Sequence, residues 1–150
     1  MKEGSYGIKN GTPIVVKVET IRKQDGEVSK YTETFNGQYV KMGSNIYLRY
    51  QEKHDQHEDA TVTFKITDDG EVQLNRQQGE MKMRLYFASQ KRVSTTYKTP
   101  YGVIPIETLT NKINISKKDM PISAKVEVDY LLYSQEKIVG EYKIRLQFTA

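Results

Sequence analysis

The sequence predicts an all-β domain, a closed antiparallel meander of about ten strands. Three observations carry that prediction. Apolar and polar residues alternate with a period of two along most of the chain, as in Val62, Phe64 and Ile66 set between Thr61, Thr63 and Lys65. The same alternation recurs at Met81, Met83, Leu85 and Phe87, and again at Val126, Val128, Tyr130 and Leu132. Short turn-forming segments separate these runs, and no convincing stretch repeats at helical spacing. A long meander either splits into two packed sheets or curls closed, and closure is preferred because it removes edge strands.

The elements follow in order. Pro13 to Arg22 is a strand with Ile14, Val16 and Val18 on one face, and Pro13 opens it where a missing N–H does least harm. Gln24-Asp25-Gly26-Glu27 is a turn. Val28 to Phe35 is a more polar strand, and Asn36-Gly37 reads as a two-residue hairpin turn into a short strand, Gln38 to Lys41. After Gly43-Ser44-Asn45 comes a strand with Ile46, Leu48 and Tyr50 inward and Glu52 last. The run 53–59 is entirely polar and reads as a wet loop.

Thr61 to Thr67 and Glu71 to Arg76 form the clearest hairpin, closed by Asp68-Asp69-Gly70. In its register Ile66 faces Val72, Phe64 faces Leu74 and Val62 faces Arg76. The Met81–Phe87 strand returns as Val93–Thr99, with Met83 opposite Tyr97 and Leu85 opposite Thr95. Ile104 and Ile106 make a short apolar face cut by Pro105, and Lys112 to Ser116 is a separate short strand. Leu109 to Ile113 could form one helical turn capped by Thr108, but its β-branched content argues against that. Lys117 to Pro121 connects to the last hairpin, Ile122–Leu132 with Ile138–Phe148, in which Leu132 pairs with Ile138, Tyr130 with Gly140 and Val128 with Tyr142.

A chain of 150 residues fits one domain with a single core, its ordered part expected over residues 13–148. The chain has no Cys, which excludes a disulfide scaffold and thiol chemistry. No apolar run is long enough to cross a membrane as a helix. The plain start, with Gly4, Gly7 and Gly11 keeping it loose, carries no export pattern, so a cytoplasmic location and no membrane partner are expected. A net charge of +4 is a mild bias of the size that keeps a small domain soluble.

The informative anomaly is what the alternation sends inward. Arg76 continues the face of Val72 and Leu74, and Glu52 that of Ile46, Leu48 and Tyr50. Tyr97 and Thr99 continue the face of Val93 and Thr95, and Tyr130 sits among inward valines. A buried charge is costly unless paired, so Arg76 and Glu52 are expected to meet near one end of the barrel or to share a polar ligand. Pairing or rim exposure is the plainer reading. Ligand contact through Arg76, Glu52, Tyr50, Tyr97, Thr99 and Tyr130 is the functional alternative. Eleven Tyr against four Phe and no Trp lean toward polar-tipped aromatics.

Other chemistries find little support. His54 and His57 with Asp55, Glu58 and Asp59 lie in a loop without the helical spacing of a metal signature, so no metal and no cofactor are expected. No catalytic motif is present: no Gly-x-Ser-x-Gly, and no Ser close in sequence to either His. Lys82 opposite Lys98 and Arg84 opposite Thr96, with Tyr86 and the loop residues Lys91 and Arg92, form a small basic patch. Its size does not lead one to expect nucleic acid as a partner.

At Tyr50-Gln51-Glu52, Arg76 and Tyr97-Lys98-Thr99-Pro100-Tyr101-Gly102 the chain resembles the bacterial YwiB-type family, of unknown function and calycin-like, lipocalin-related barrel fold. The family's Tyr-acid-acid segment is matched by Tyr50 and Glu52 and departs at Gln51. Its Arg followed by Gly resembles Arg76 and Gly79 with one extra residue between them. Its Tyr-x-Thr-Pro-Tyr-Gly is intact from Tyr97 to Gly102, and its late strand resembles Tyr130 and Leu132. The resemblance spans about Ile14 to Phe148 and implies a cytoplasmic closed meander. Three functions remain: a barrel that binds a small molecule in or at its mouth; a surface-acting or structural protein, with a homodimer as one form; and a metal-assisted hydrolase using Glu52 and the His loop, or a weak nucleic-acid binder.

Overall fold

In the computed structural model the period-two alternation is realised as a closed barrel, described over residues 11–120 and 122–150. Ten strands build it among the described residues: β1 (Thr12–Gln24), β2 (Glu27–Met42), β3 (Asn45–Glu52), β4 (Ala60–Ile66) and β5 (Val72–Gln78), then β6 (Met81–Phe87), β7 (Arg92–Thr99), β8 (Gly102–Asp119), β9 (Ile122–Ser134) and β10 (Lys137–Thr149). Each pairs antiparallel with its sequence neighbour, and β1 closes the wall on β10. Closure gives the long terminal strands a partner on both sides. The glycine-bearing start with Gly4 and Gly7 lies outside the described residues, as does Pro121.

The β4–β5 hairpin has the register read from its sequence, with Val62 opposite Arg76, Phe64 opposite Leu74 and Ile66 opposite Val72. Its loop is closed by Thr67 N–H donating to Glu71 O at 2.9 Å, and Gly70 takes φ +88°. Inward side chains of this hairpin and of β9 and β10, including Phe64, Ile66, Val72, Val126, Val128 and Leu146, fill the barrel. Burying several such groups is the main stabilising contribution, about 1.5–3 kcal/mol for each large apolar side chain.

Three expectations need correcting. Asn36-Gly37 makes no turn; β2 runs through it, with Gly37 opposite both Ile14 and Tyr50. A Cβ at Gly37 would lie 2.7 Å from Arg49 O and 3.3 Å from Tyr50 Cβ, so the glycine serves close approach of strands within the wall. Lys112–Ser116 is not separate either. It continues β8 past a bulge between Thr110 and Lys112. The bulge switches the inward positions from Ile106, Thr108 and Thr110 to Ile113 and Ile115, which is why the period breaks in the sequence. Pro105 is accommodated where pairing to β9 has not yet begun, since that ladder starts at Glu107.

The last hairpin is the third correction. Its turn is the tight pair Gln135-Glu136, both with positive φ, and a bulge follows between Ile138 and Gly140. Ile138 therefore faces Tyr133, Gly140 faces Leu132, Tyr142 faces Tyr130 and Ile144 faces Val128. The room left by Gly140 serves Tyr142, whose Cε1 would lie 3.2 Å from an added Cβ.

The wall is thinnest between β6 and β7. Their ladder holds Lys82 opposite Lys98 and Met83 opposite Tyr97, and does not extend to Leu85 with Thr95 or Arg84 with Thr96. Beyond it, the Thr108 hydroxyl of β8 donates to Tyr86 O at 2.6 Å, and the 88–91 loop closes on Thr110 through Gln90 N–H to Thr110 O.

Candidate functional site

Inward-facing Arg76 and Glu52 meet near one end of the barrel. Arg76 donates through Nη2 at 2.8 Å and through Nε at 3.2 Å to the same oxygen, Glu52 Oε1. The pair is partly buried, with side chains 29% and 25% exposed. Both residues stand near strand ends, Glu52 as the last of β3 and Arg76 two before the last of β5. His54, just beyond β3, places Nε2 3.5 Å from Glu52 Oε1.

Below this pair lies a cavity of about 180 Å³. Its apolar lining comes from Val18, Phe35, Val62, Phe64, Leu74 and Ile144. Tyr50 stacks on Phe35 with centroids 4.3 Å apart and lies 6.5 Å from Phe64, forming an aromatic wall. Thr20, Tyr31 and Glu33 complete the polar side. Burial raises the Tyr50 hydroxyl pKa well above its ordinary value, and the negative charges of Glu52 and Glu33 raise it further against the lowering effect of Arg76. Tyr50 is therefore a neutral hydroxyl at physiological pH, able to donate a hydrogen bond.

Of the residues singled out in the sequence, the structure brings together Tyr50, Glu52 and Arg76. The other three lie elsewhere. Tyr97 points its hydroxyl at Met81 Sδ, 3.5 Å away. Thr99 closes the β7–β8 turn, its hydroxyl donating to Gly102 O at 2.8 Å and accepting from Tyr101 N–H at 3.1 Å. The intact Thr-Pro-Tyr-Gly segment is thus built as a turn, with Tyr101 99% exposed. Tyr130 is buried between Phe87 and Tyr142, at 4.6 and 5.1 Å between centroids.

Sequence reasoning missed Thr20, Tyr31 and Glu33. The signal was present, because Tyr31 and Glu33 share the parity of Phe35 and Thr20 that of Val16 and Val18, but Val28–Phe35 is so polar that its sequence marks no inward face. The 53–59 loop is organised by Asp59, which accepts from Lys53 Nζ at 3.0 Å and from His54 N–H at 3.3 Å. Among the described residues no three His, Cys, Asp or Glu side chains converge as metal ligands would.

The geometry can be set beside known proteins. Residues 16–146 match the family described as Domain of unknown function (DUF1934). The chain belongs to this family. It is 32% identical over 108 residues to the uncharacterized β-barrel protein YwiB of Bacillus subtilis (strain 168), an alignment covering 71% of this chain and 72% of that protein. The crystal structure of ywiB protein from Bacillus subtilis superposes with a TM-score of 0.80 at 22% identity, covering 96% of this chain and 95% of that one. That likeness shows the fold, a closed β-barrel. No helix among the described residues is long and apolar enough to cross a membrane.

Proposed function

We propose that the protein is a binding barrel without catalytic chemistry, holding a small molecule at the mouth closed by Arg76 and Glu52. The observation that carries this reading is the cavity of about 180 Å³ whose apolar floor ends at that ion pair. Its volume is below the roughly 300–1,000 Å³ of drug-sized sites, so the ligand is small. An apolar body would rest on Val62, Phe64 and Leu74, and a polar head would meet Arg76, Glu52 and the Tyr50 hydroxyl. The experiment is a fragment screen by NMR on the wild-type protein, R76A and Y50F. Shifts at Tyr50, Phe64 and Arg76 that vanish in R76A support the reading; fragments that perturb no residue of the mouth refute it. A cytoplasmic location belongs to the same reading, supported by the polar outer faces of the strands, and cell fractionation tests it.

Self-association is a second reading. It is favoured by apolar exposure at the β7–β8 tip, where Tyr101 is 99% and Val103 60% exposed. A light-scattering mass of one chain at every concentration would exclude it.

A further inference from the structure

The outer face of β3–β6 carries three cross-strand rows that only the register assembles. The first runs Tyr47, Lys65, Gln73, Tyr86. The second runs Arg49, Thr63, Asn75, Arg84. The third runs Gln51, Thr61, Gln77, Lys82 and continues to Lys98 on β7. These rows hold five cations, two tyrosines, hydrogen-bonding amides and hydroxyls, and no carboxylate. A groove of about 700 Å³ crosses the second and third rows, bordered at one end by Glu58 and by Asp59, whose charge Lys53 already offsets.

The three rows also lack the charge pairing found at several other places on the outer surface. On the outer face away from these rows several cations sit on carboxylates, Lys112 on Glu127, Arg145 on Asp129, Arg92 on Glu107 and Lys30 on Glu19, while others, Lys125 and Lys143 among them, form no ion pair among the described residues. Among the described residues, none of Arg49, Lys65, Lys82, Arg84 and Lys98 forms an ion pair. Their contacts are to neutral groups. Arg84 donates to Asn75 Oδ1 at 2.7 Å and to Tyr86 Oη at 3.4 Å, and Lys65 lies 5.7 Å from the Tyr47 ring centre. These contacts orient Arg84 and place Lys65 over a ring, and neither cation has a carboxylate partner.

We infer that this face binds single-stranded nucleic acid. Four adjacent strands span about 14 Å, so the cations form an extended patch able to follow a phosphate backbone. Tyr47 and Tyr86 lie on an open sheet face, where an unpaired base can stack and a base held inside a duplex cannot. An acidic protein partner fits less well, because no large exposed apolar side chain lies in the three rows to anchor it. The patch read from sequence held Lys82, Arg84, Lys98 and Tyr86 with Thr96 and the loop residues Lys91 and Arg92; pairing through β3 and β4 adds Arg49, Lys65 and Tyr47, while Lys91 and Arg92 lie outside the three rows. This inference does not depend on the mouth cavity.

Fluorescence anisotropy with a labelled mixed-sequence single strand, as RNA and as DNA, and with its duplex tests it. Five phosphate contacts predict a log–log salt slope of about −3.5, hence about a hundred-fold weaker binding between 50 and 200 mM salt. K82E/R84E should weaken binding by about ten-fold or more, whereas K125E/K143E, the same charge change on the opposite wall, should leave it within about three-fold. Y47S/Y86S should lose about five-fold or more if bases stack there. Thermal melts of the variants confirm that they fold. Absence of single-strand binding at about 50 mM salt, equal losses in both charge variants, or tighter binding of the duplex with no effect of the tyrosine change would overturn the inference.

Discussion

Removing the Arg76 side chain tests whether the inward ion pair is structural. Two hydrogen bonds to one carboxylate oxygen, at 2.8 and 3.2 Å, would be worth about 3–5 kcal/mol if fully desolvated and lost from one side only. With side chains 29% and 25% exposed, water reaches both partners, and the value must be discounted toward that of a surface pair. The expected coupling is about 1–2 kcal/mol, or roughly 2–8 °C in Tm for a domain of this size. The assay is a double-mutant cycle of R76A, E52A and R76A/E52A by denaturant melts. In R76A the Glu52 carboxylate is left beside His54 without its guanidinium, so the losses of R76A and E52A should sum to more than the loss of R76A/E52A. Coupling below about 0.3 kcal/mol would refute the reasoning and reduce the pair to a crystal-like surface contact without energetic weight.

Other consequences can be measured independently. Gly37→Ala should destabilise by about 1–3 kcal/mol, because the new Cβ meets Arg49 O at 2.7 Å; an unchanged melt would show that β2 can shift there. Q135N/E136G should raise stability by about 1 kcal/mol or more, since both residues hold positive φ in the β9–β10 turn; no gain in denaturant midpoint would count against that turn geometry. The Glu107 carboxylate, bonded first by Arg92 and then by Ser94, should titrate below its ordinary value of 4.5 by NMR. Because its folded pKa is lowered, its stabilising contribution is present above the ordinary carboxylate range and lost as pH falls through the folded pKa; R92A should move the midpoint back up.

Much of the fold was legible because one physical rule governs it. Wherever a strand keeps strict alternation, as in β4, β5 and β6, register and inward face follow directly from residue parity. The errors fall where parity is interrupted. At Asn111 the β8 bulge inserts one residue, and two runs that look unrelated are one strand. At Gln135-Glu136 the backbone adopts a left-handed turn with neither Gly nor Asn, so no turn signal exists to read. At Asn36-Gly37 a strong hairpin dipeptide is overridden by pairing on both sides, because a Cβ there would crowd Arg49 O, Tyr50 and Val16. The Arg76–Glu52 approach was legible because the Val62–Arg76 register and the β3 alternation point both residues the same way. Glu33 and Tyr31 were missed because the polar start of β2 has no apolar alternation to mark its inward face.

Alternation also separates the two proposed sites at single-residue resolution. In β3, Arg49 and Gln51 face outward while Tyr50 faces the cavity; in β5, Asn75 and Gln77 face outward while Arg76 closes the mouth. Substitutions one position apart should therefore act on different ligands. Arg76 is the exception, since it borders both the mouth cavity and the outer groove, where the β6–β7 ladder ends and the wall is thin. If Glu52 holds its guanidinium inward, R76A should abolish fragment shifts at the mouth and leave nucleic-acid affinity close to wild type, while K82E/R84E does the reverse. A loss of both in R76A would mean that the guanidinium serves the outer groove as well, and that the wall does not isolate one face from the other.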